Sequence, residues 1–299
     1  MNLATSKLDT TVFDRDGIAW PIVAMPQEDT SDLEQRYRYF QREVSKVRGR
    51  ECHLKPHLVS TWLDDLVHNP IILDAVEAAI GPDILLWSSD FAVKGAGMGT
   101  WVPWHQDTPY WNLSTTKVVS VWFAITSATV ANGAMKVLLG THKSGALGKI
   151  NHDGDPHDGV AKGDRKSSEG NLFFYDHIMN KPVEESQAKD VELQPGEFSI
   201  HNIELLHGGG PNESDHDRIG FVMRFISADT FCKSSKDSAM LVRGHYHGDR
   251  FELEPRPQKD FGPEAMAALE HAVSFPSGFG DRDMTRGDMT KGKSQKEMR

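Results

Sequence analysis

The chain has 299 residues, 38% of them hydrophobic, enough for one large core. A formal net charge of −10 excludes the basic surface that nucleic acid or an anionic membrane would require. Two cysteines, Cys52 and Cys232, make no disulfide framework, and no apolar stretch reads as a leader or a membrane span, so a cytoplasmic protein is expected.

Residues 1–14 are polar and read as a loose arm, after which GIAWPIVAM reads as a short edge strand carrying Pro21. Helices are expected next. SDLEQRYRYFQREVSKVR opens with Ser31 as N-cap, PHLVSTWLDDLVHN follows, and PIILDAVEAAIG stops at Gly81-Pro82. Their role is scaffold on the outside of a sheet.

From Asp83 the hydrophobic period changes to two. DILLWSSDFAVKG, KVVSVWFAIT, AMKVLL, VELQPGEFSIHN and RIGFVMRFIS read as strands of an antiparallel, mainly β core. On the second of these, Val119, Val121, Phe123 and Ile125 share one face, and on the last so do Ile219, Phe221, Met223 and Phe225. Those apolar faces are expected to meet the helices, leaving the faces of Ser120 and Trp122, and of Arg218, Gly220, Val222 and Arg224, to line a cavity. On the first strand Lys94 shares a face with Ser88, Asp90 and Ala92, an inward ammonium suited to an anion.

WVPWHQDTPYWN, residues 101–112, places His105 and Asp107 two positions apart. In extended chain these leave on one face while Gln106 leaves on the other. A second His completes the 2-His-1-carboxylate set that suits non-haem Fe(II). His207, at the end of a Leu-Leu-His run into Gly208, Gly209 and Gly210, is that candidate, and Arg218 opens the following strand eleven positions on. A guanidinium there can grip a carboxylate with two prongs. Between these motifs, residues 148–171 are rich in Gly, Asp, His and Lys without periodicity, the composition of a long loop, with His152 and His157 solvated. Its place suggests a lid over the site. Beyond Cys232 the chain reads as less regular except for a helix at GPEAMAALEHAV, and residues 278–299 read as a disordered tail. One domain is expected over 1–277, with its core at about 83–228.

His105-Gln106-Asp107, His207 within LLHGGGPN, and Arg218 together resemble the phytanoyl-CoA dioxygenase family of Fe(II)/2-oxoglutarate oxygenases, and residues 121–142 are similar to that family's stretch between the ligands. The likeness spans about 14–227. It implies a double-stranded β-helix, the cupin-like jelly roll, and Fe(II), 2-oxoglutarate and O2 as cofactors. It implies His105, Asp107 and His207 as catalytic metal ligands, and Arg218 as the group on the far carboxylate of 2-oxoglutarate, with Gly220 leaving room for that cosubstrate. Trp122 matches a Trp that contacts the cosubstrate in the namesake, and Lys94 would assist. Two residues after the distal His the namesake carries a hydroxyl where this chain has Gly209, so one hydrogen bond must be replaced. Trp104, Tyr110 and Trp111, with Tyr175, are candidate substrate walls.

The implied reaction is hydroxylation of an unactivated C–H of a small-molecule metabolite with release of succinate and CO2. Desaturation, epimerisation or cyclisation at the same iron stays open as an alternative, and so does a non-catalytic jelly-roll protein that binds a metal or small molecule. Related halogenases have a small residue in place of the carboxylate, so Asp107 disfavours halogenation. The remaining His residues, His201 among them, are assigned structural or surface roles.

Overall fold

A computed structural model describes residues 8–275 apart from 50–51, 109–110, 112, 146, 152–175, 180–182 and 234–235. Tyr110, Tyr175, His152 and His157, most of the 148–171 loop and all of 278–299 lie outside the described residues.

The N-terminal segment is not a loose arm throughout, since Thr10–Asp16 is a helix, α1. Asp9 caps it by accepting from the amides of Thr11 and Val12, Gly17 closes it in the left-handed conformation, and Phe13 is buried beneath it. The strand β1 (Ile18–Val23) follows at the edge of the larger sheet, as its proline requires. In α2 (Leu33–Arg48) the cap position belongs to Asp32 rather than Ser31, and Asp32 makes no capping bond because its carboxylate pairs with Arg36. PHLVSTWLDDLVHN is not one helix either. A 3-10 turn over Pro56–Val59 is separated from α3 (Thr61–Val67) by Ser60, whose extended backbone breaks the run. The helix α4 (Pro70–Ile80) ends at Gly81 as expected.

The strands are β2 (Ile84–Lys94), β3 (Val102–His105), β4 (Val118–Ala124), β5 (Met135–Val137), β6 (Gly148–Asn151), β7 (Asp176–Met179), β8 (Lys189–Val191), β9 (Glu197–Asn202), β10 (His207–Gly209), β11 (Arg218–Ser227), β12 (Asp237–Arg243) and β13 (Phe251–Leu253). α5 (Pro263–Ala272) closes the described chain. A seven-stranded sheet, β1-β9-β4-β11-β2-β12-β13, faces a four-stranded one, β3-β10-β5-β8, in the jelly-roll arrangement.

Two stretches depart from the sequence reading. Residues 148–151 are not loop, since they pair antiparallel with β7. The chain beyond Cys232 contributes β12 and β13, which pair in parallel, while β12 extends the large sheet against β2. Both pairings join segments distant from one another or short, where local periodicity carries little signal.

The alternation along β4 and β11 sorts the two faces as expected. Val119, Val121, Phe123, Ile219, Phe221, Met223 and Phe225 lie in one buried core with Phe40, Val44, Leu63, Ile72 and Val76 of the helices. The opposite face turns toward the smaller sheet, where Trp122 and Val222 pack with Val137 and Val191.

Candidate active site

His105 ends β3 and His207 opens β10, and the antiparallel register places these two residues directly opposite each other. Their rings lie 4.0 Å apart between centroids. Close approach of the strands depends on Gly208, where an added Cβ would lie 3.1 Å from the Val102 carbonyl oxygen. Gln106 points away from the histidines, as alternation demands. Its amide donates to the carbonyls of Glu204 and Gly145 and its oxygen accepts from Leu147 N–H, which ties the end of β3 to two connections.

His105, Asp107 and His207 offer ligand atoms within 4.8 Å of one another. Each imidazole has Nδ1 against a backbone carbonyl, His105 on Pro103 at 2.8 Å and His207 on Leu205 at 2.9 Å. A carbonyl only accepts, so the proton sits on Nδ1 and the Nε2 lone pair faces inward. Both Nε2 atoms point at one oxygen of Asp107, at 3.5 and 4.0 Å. Two lone pairs aimed at a carboxylate repel unless a cation lies between them, so this donor set fits a divalent metal such as Fe(II). Burial opposes ionisation of Asp107, but nearby positive charge, Arg224 included, holds its carboxyl below the usual range. Burial, and then His105, hold His207 well below the usual imidazole range, so it stays a neutral ligand. Ser120, from the larger sheet, donates to the second Asp107 oxygen at 3.3 Å.

A second cluster lies on the facing, larger sheet. Arg218 and Lys94 are paired in the β11–β2 register, both buried, and neither has an ion-pair partner among the described residues. Arg218 donates to the Gly133 carbonyl at 2.7 Å, and its Nε has no hydrogen-bond partner. Lys94 donates to the carbonyls of Gly133 and Gly210. Burial pushes Arg218 down to about 10, and burial followed by the adjacent Arg218 pushes Lys94 down to about 7. Two buried cations without an anion form a cradle whose unmet need is a carboxylate, which fits the distal end of 2-oxoglutarate.

Gly209 and Gly220 acquire specific meanings here. A Cβ at Gly209 would come 3.0 Å from Lys94 Nζ, so the ammonium occupies the direction in which a side chain at 209 would project. Lys94 therefore stands where the family's hydroxyl is lost. At Gly220 the expectation of room for the cosubstrate is wrong, because an added Cβ would lie 2.1 Å from the Trp122 ring. The indole fills that space, and the Arg218 guanidinium lies 5.2 Å from its centroid. Gly220→Ala is therefore expected to displace Trp122, cost about 1–3 kcal/mol of stability and weaken cosubstrate binding. Urea unfolding together with a 2-oxoglutarate titration checks this, and a variant matching the parent in both would show that the indole is not held there.

Trp111 is buried against Trp87 at 5.6 Å, edge to face. Trp104 leaves β3 on the face opposite His105 and its indole donates to Glu185 at 3.1 Å, so the structure does not bring it to the triad. His201, assigned no role from sequence, lies on β9 with its ring 4.9 Å from His207 and both ring nitrogens unpartnered. Burial lowers it to about 4, leaving it neutral. No sequence signal marked it, because its nearness to His207 arises only when the two sheets face each other.

The family model described as Phytanoyl-CoA dioxygenase (PhyH) matches residues 27–220. Among solved structures, the non-heme monooxygenase ThoJ in its apo form is 31% identical, superposes with a TM-score of 0.76, and is matched over 88% of this chain and 94% of that one. The probable alpha-ketoglutarate-dependent hypophosphite dioxygenase of Stutzerimonas stutzeri is 28% identical over 231 residues, 76% of this chain and 72% of the relative. The peroxisomal phytanoyl-CoA dioxygenase of Homo sapiens is also 28% identical, over 164 residues, covering 54% of this chain and 44% of its own length.

Proposed function

Because the chain belongs to the phytanoyl-CoA dioxygenase family and is an Fe(II)- and 2-oxoglutarate-dependent oxygenase, we propose that it hydroxylates an unactivated C–H bond of a small-molecule metabolite. The observation that carries this reading is that three metal-ligand side chains at the small sheet face two buried cations of the large sheet that lack an ion-pair partner among the described residues.

In this reading His105, Asp107 and His207 hold Fe(II), and the backbone carbonyls of Pro103 and Leu205 keep both imidazoles in the ligating tautomer. Ser120 orients Asp107 through its second oxygen. Arg218 and Lys94 bind the far carboxylate of 2-oxoglutarate, with Trp122 as the wall on which the guanidinium rests. Iron bound there would, with 2-oxoglutarate and O2, supply the oxidising equivalent, the cosubstrate going to succinate and CO2 with one oxygen atom and the substrate C–H receiving the other. Buried surroundings keep that chemistry from water. The protein acts in the cytoplasm, where reducing conditions keep iron ferrous and Cys52 and Cys232 as thiols.

The test is slow, substrate-independent turnover. Purified protein reconstituted anaerobically with Fe(II) and then given 2-oxoglutarate and O2 is expected to form succinate, and to stop when either iron or O2 is omitted. A protein that binds Fe(II) yet forms no succinate would instead be a jelly-roll binding protein.

A further inference from the structure

The inner face of the large sheet carries a second arginine, outside the cosubstrate cradle and near enough to Asp107 for its charge to favour the carboxylate. Arg224 lies six residues beyond Arg218 on the same face of β11, and the register places Ser88, Ser120 and His201 in its row across β2, β4 and β9. Its Nη1 donates to Asp90 at 3.0 Å, and its guanidinium lies 5.5 Å from the Trp111 ring. Ser120, beside Arg224 in that row, touches Asp107, so the ion pair lies on the triad's own side of the cavity.

Residual exposure traces the space between them. The side chains of Arg224 and Asp90 keep 13% and 17% of their surface, and Asp107 keeps 14%, whereas Ser88, Ser120 and His201 in the same row are 1%, 1% and 3% exposed. The pair and Asp107 therefore each keep some exposed surface, and Ser120 joins them. Ser88 Oγ and both nitrogens of His201 have no hydrogen-bond partner, so neutral donors and acceptors flank the pair.

We infer that the Arg224–Asp90 pair is the head-group subsite for the substrate and takes a small, dipolar, net-neutral molecule. A carboxylate or comparable oxyanion docks on Arg224 and an ammonium or hydroxyl donor on Asp90. This rests on the oxygenase reading above. The local charges decide the class, since Fe(II), Asp107, 2-oxoglutarate, Arg218 and a protonated Lys94 sum to only +1 and the Arg224–Asp90 pair sums to zero. A singly anionic substrate would add charge beside Asp90 and Asp107, and a singly cationic one would face Arg224. A zwitterion instead exchanges one ion pair within the protein for two across the interface, leaving net charge unchanged and no buried ion uncompensated. Trp111, braced by Trp87, is the flat apolar wall for the carbon part of such a molecule.

The test uses protein loaded with Ni(II) and 2-oxoglutarate, which binds without turning over. Thermal shift and calorimetry would be run with the net-neutral proteinogenic amino acids as zwitterions, butyrate as anion, butylamine as cation and butanol as neutral control. At least one zwitterion is expected to bind saturably, and with Fe(II) and O2 the same compound is expected to raise succinate formation. Arg224→Met and Asp90→Asn are each expected to weaken its binding about tenfold or more, and Arg224→Lys to restore part of it. Three results would overturn the proposal: saturable binding by butyrate, butylamine or butanol alone, no binding by any zwitterion, or undiminished zwitterion binding in both Arg224→Met and Asp90→Asn. The panel on the parent protein decides the first two even where a variant does not fold. Basal succinate formation in the parent separates the failures, since its absence sinks the oxygenase reading and its presence without a zwitterion response sinks only the subsite.

Discussion

Replacing His105, Asp107 or His207 by alanine is expected to abolish Fe(II) binding and succinate formation while leaving the fold intact. All three side chains converge on one point, with ligand atoms within 4.8 Å, and each histidine is locked in orientation by its own backbone hydrogen bond. Loss of an outer partner of a metal ligand typically costs about 10–100-fold in affinity, so loss of a ligand itself should exceed that range. Stability separates the three. Removing either imidazole relieves a lone pair aimed at Asp107, so the metal-free histidine variants should unfold no more easily than the metal-free parent. Asp107, whose carboxyl the fold holds ionised, instead contributes stability at neutral pH, and its alanine variant should unfold somewhat more easily while still folding. Metal stoichiometry by atomic absorption, succinate by chromatography and thermal unfolding without metal give the three readouts. Near-normal succinate formation in any one variant would remove that residue from the set.

Arg218→Met is expected to raise the 2-oxoglutarate requirement about tenfold or more, because a charge-assisted hydrogen bond contributes roughly 1.5–3 kcal/mol. Arg224→Met should not imitate this effect, since Arg224 is paired with Asp90 at the Ser120 end of the face while Arg218 stands beside Lys94. Lys94 adds a pH dependence with a definite sign. Its folded pKa lies at about 7, below the usual 10.5, and an arriving carboxylate raises it. Cosubstrate binding then takes up a proton at pH values above about 7. Affinity should be flat below pH 7 and weaken as pH rises through and beyond it, until the raised pKa of the complex is passed. Without cosubstrate the same group makes stability rise with pH between about 7 and 10.5, where the unfolded chain binds the extra proton. Lys94→Met should remove both slopes. Calorimetric titration of 2-oxoglutarate in two buffers of different ionisation enthalpy measures the proton uptake directly, and equal apparent enthalpies at pH 8 would show that Lys94 does not contact the cosubstrate.

Much of this architecture is written locally in the chain. The period-two alternation of KVVSVWFAIT and RIGFVMRFIS fixed which side chains meet the helices, because successive residues of a strand must leave on opposite faces. The same rule put His105 and Asp107 together with Gln106 turned away, and Gly208 beside His207 marked a close strand approach before any register was known. Helix limits were legible only where a cap announces them. Gly81 did so, whereas Asp9 did not, because a seven-residue helix with five polar residues and one buried Phe13 carries little periodic signal.

What remained was decided by which strands lie side by side and which side chain fills each space between the sheets. Trp122 rather than the cosubstrate lies over Gly220, since β4 and β11 are neighbours and the ring folds across the one position without a Cβ. Lys94 reaches the carbonyls of Gly133 and Gly210 and so occupies the direction left open at Gly209, a relation among segments up to 116 residues apart. His201 and His207 are six positions apart in sequence, yet they belong to different sheets and meet only when those sheets face each other. Arg224 and Asp90 find one another through the β11–β2 pairing, over a separation of 134 residues. Sequence determines the face on which a strand residue leaves because that choice depends only on its own backbone, whereas its partner across the cavity depends on register and sheet order, which are set by the packing of the whole chain.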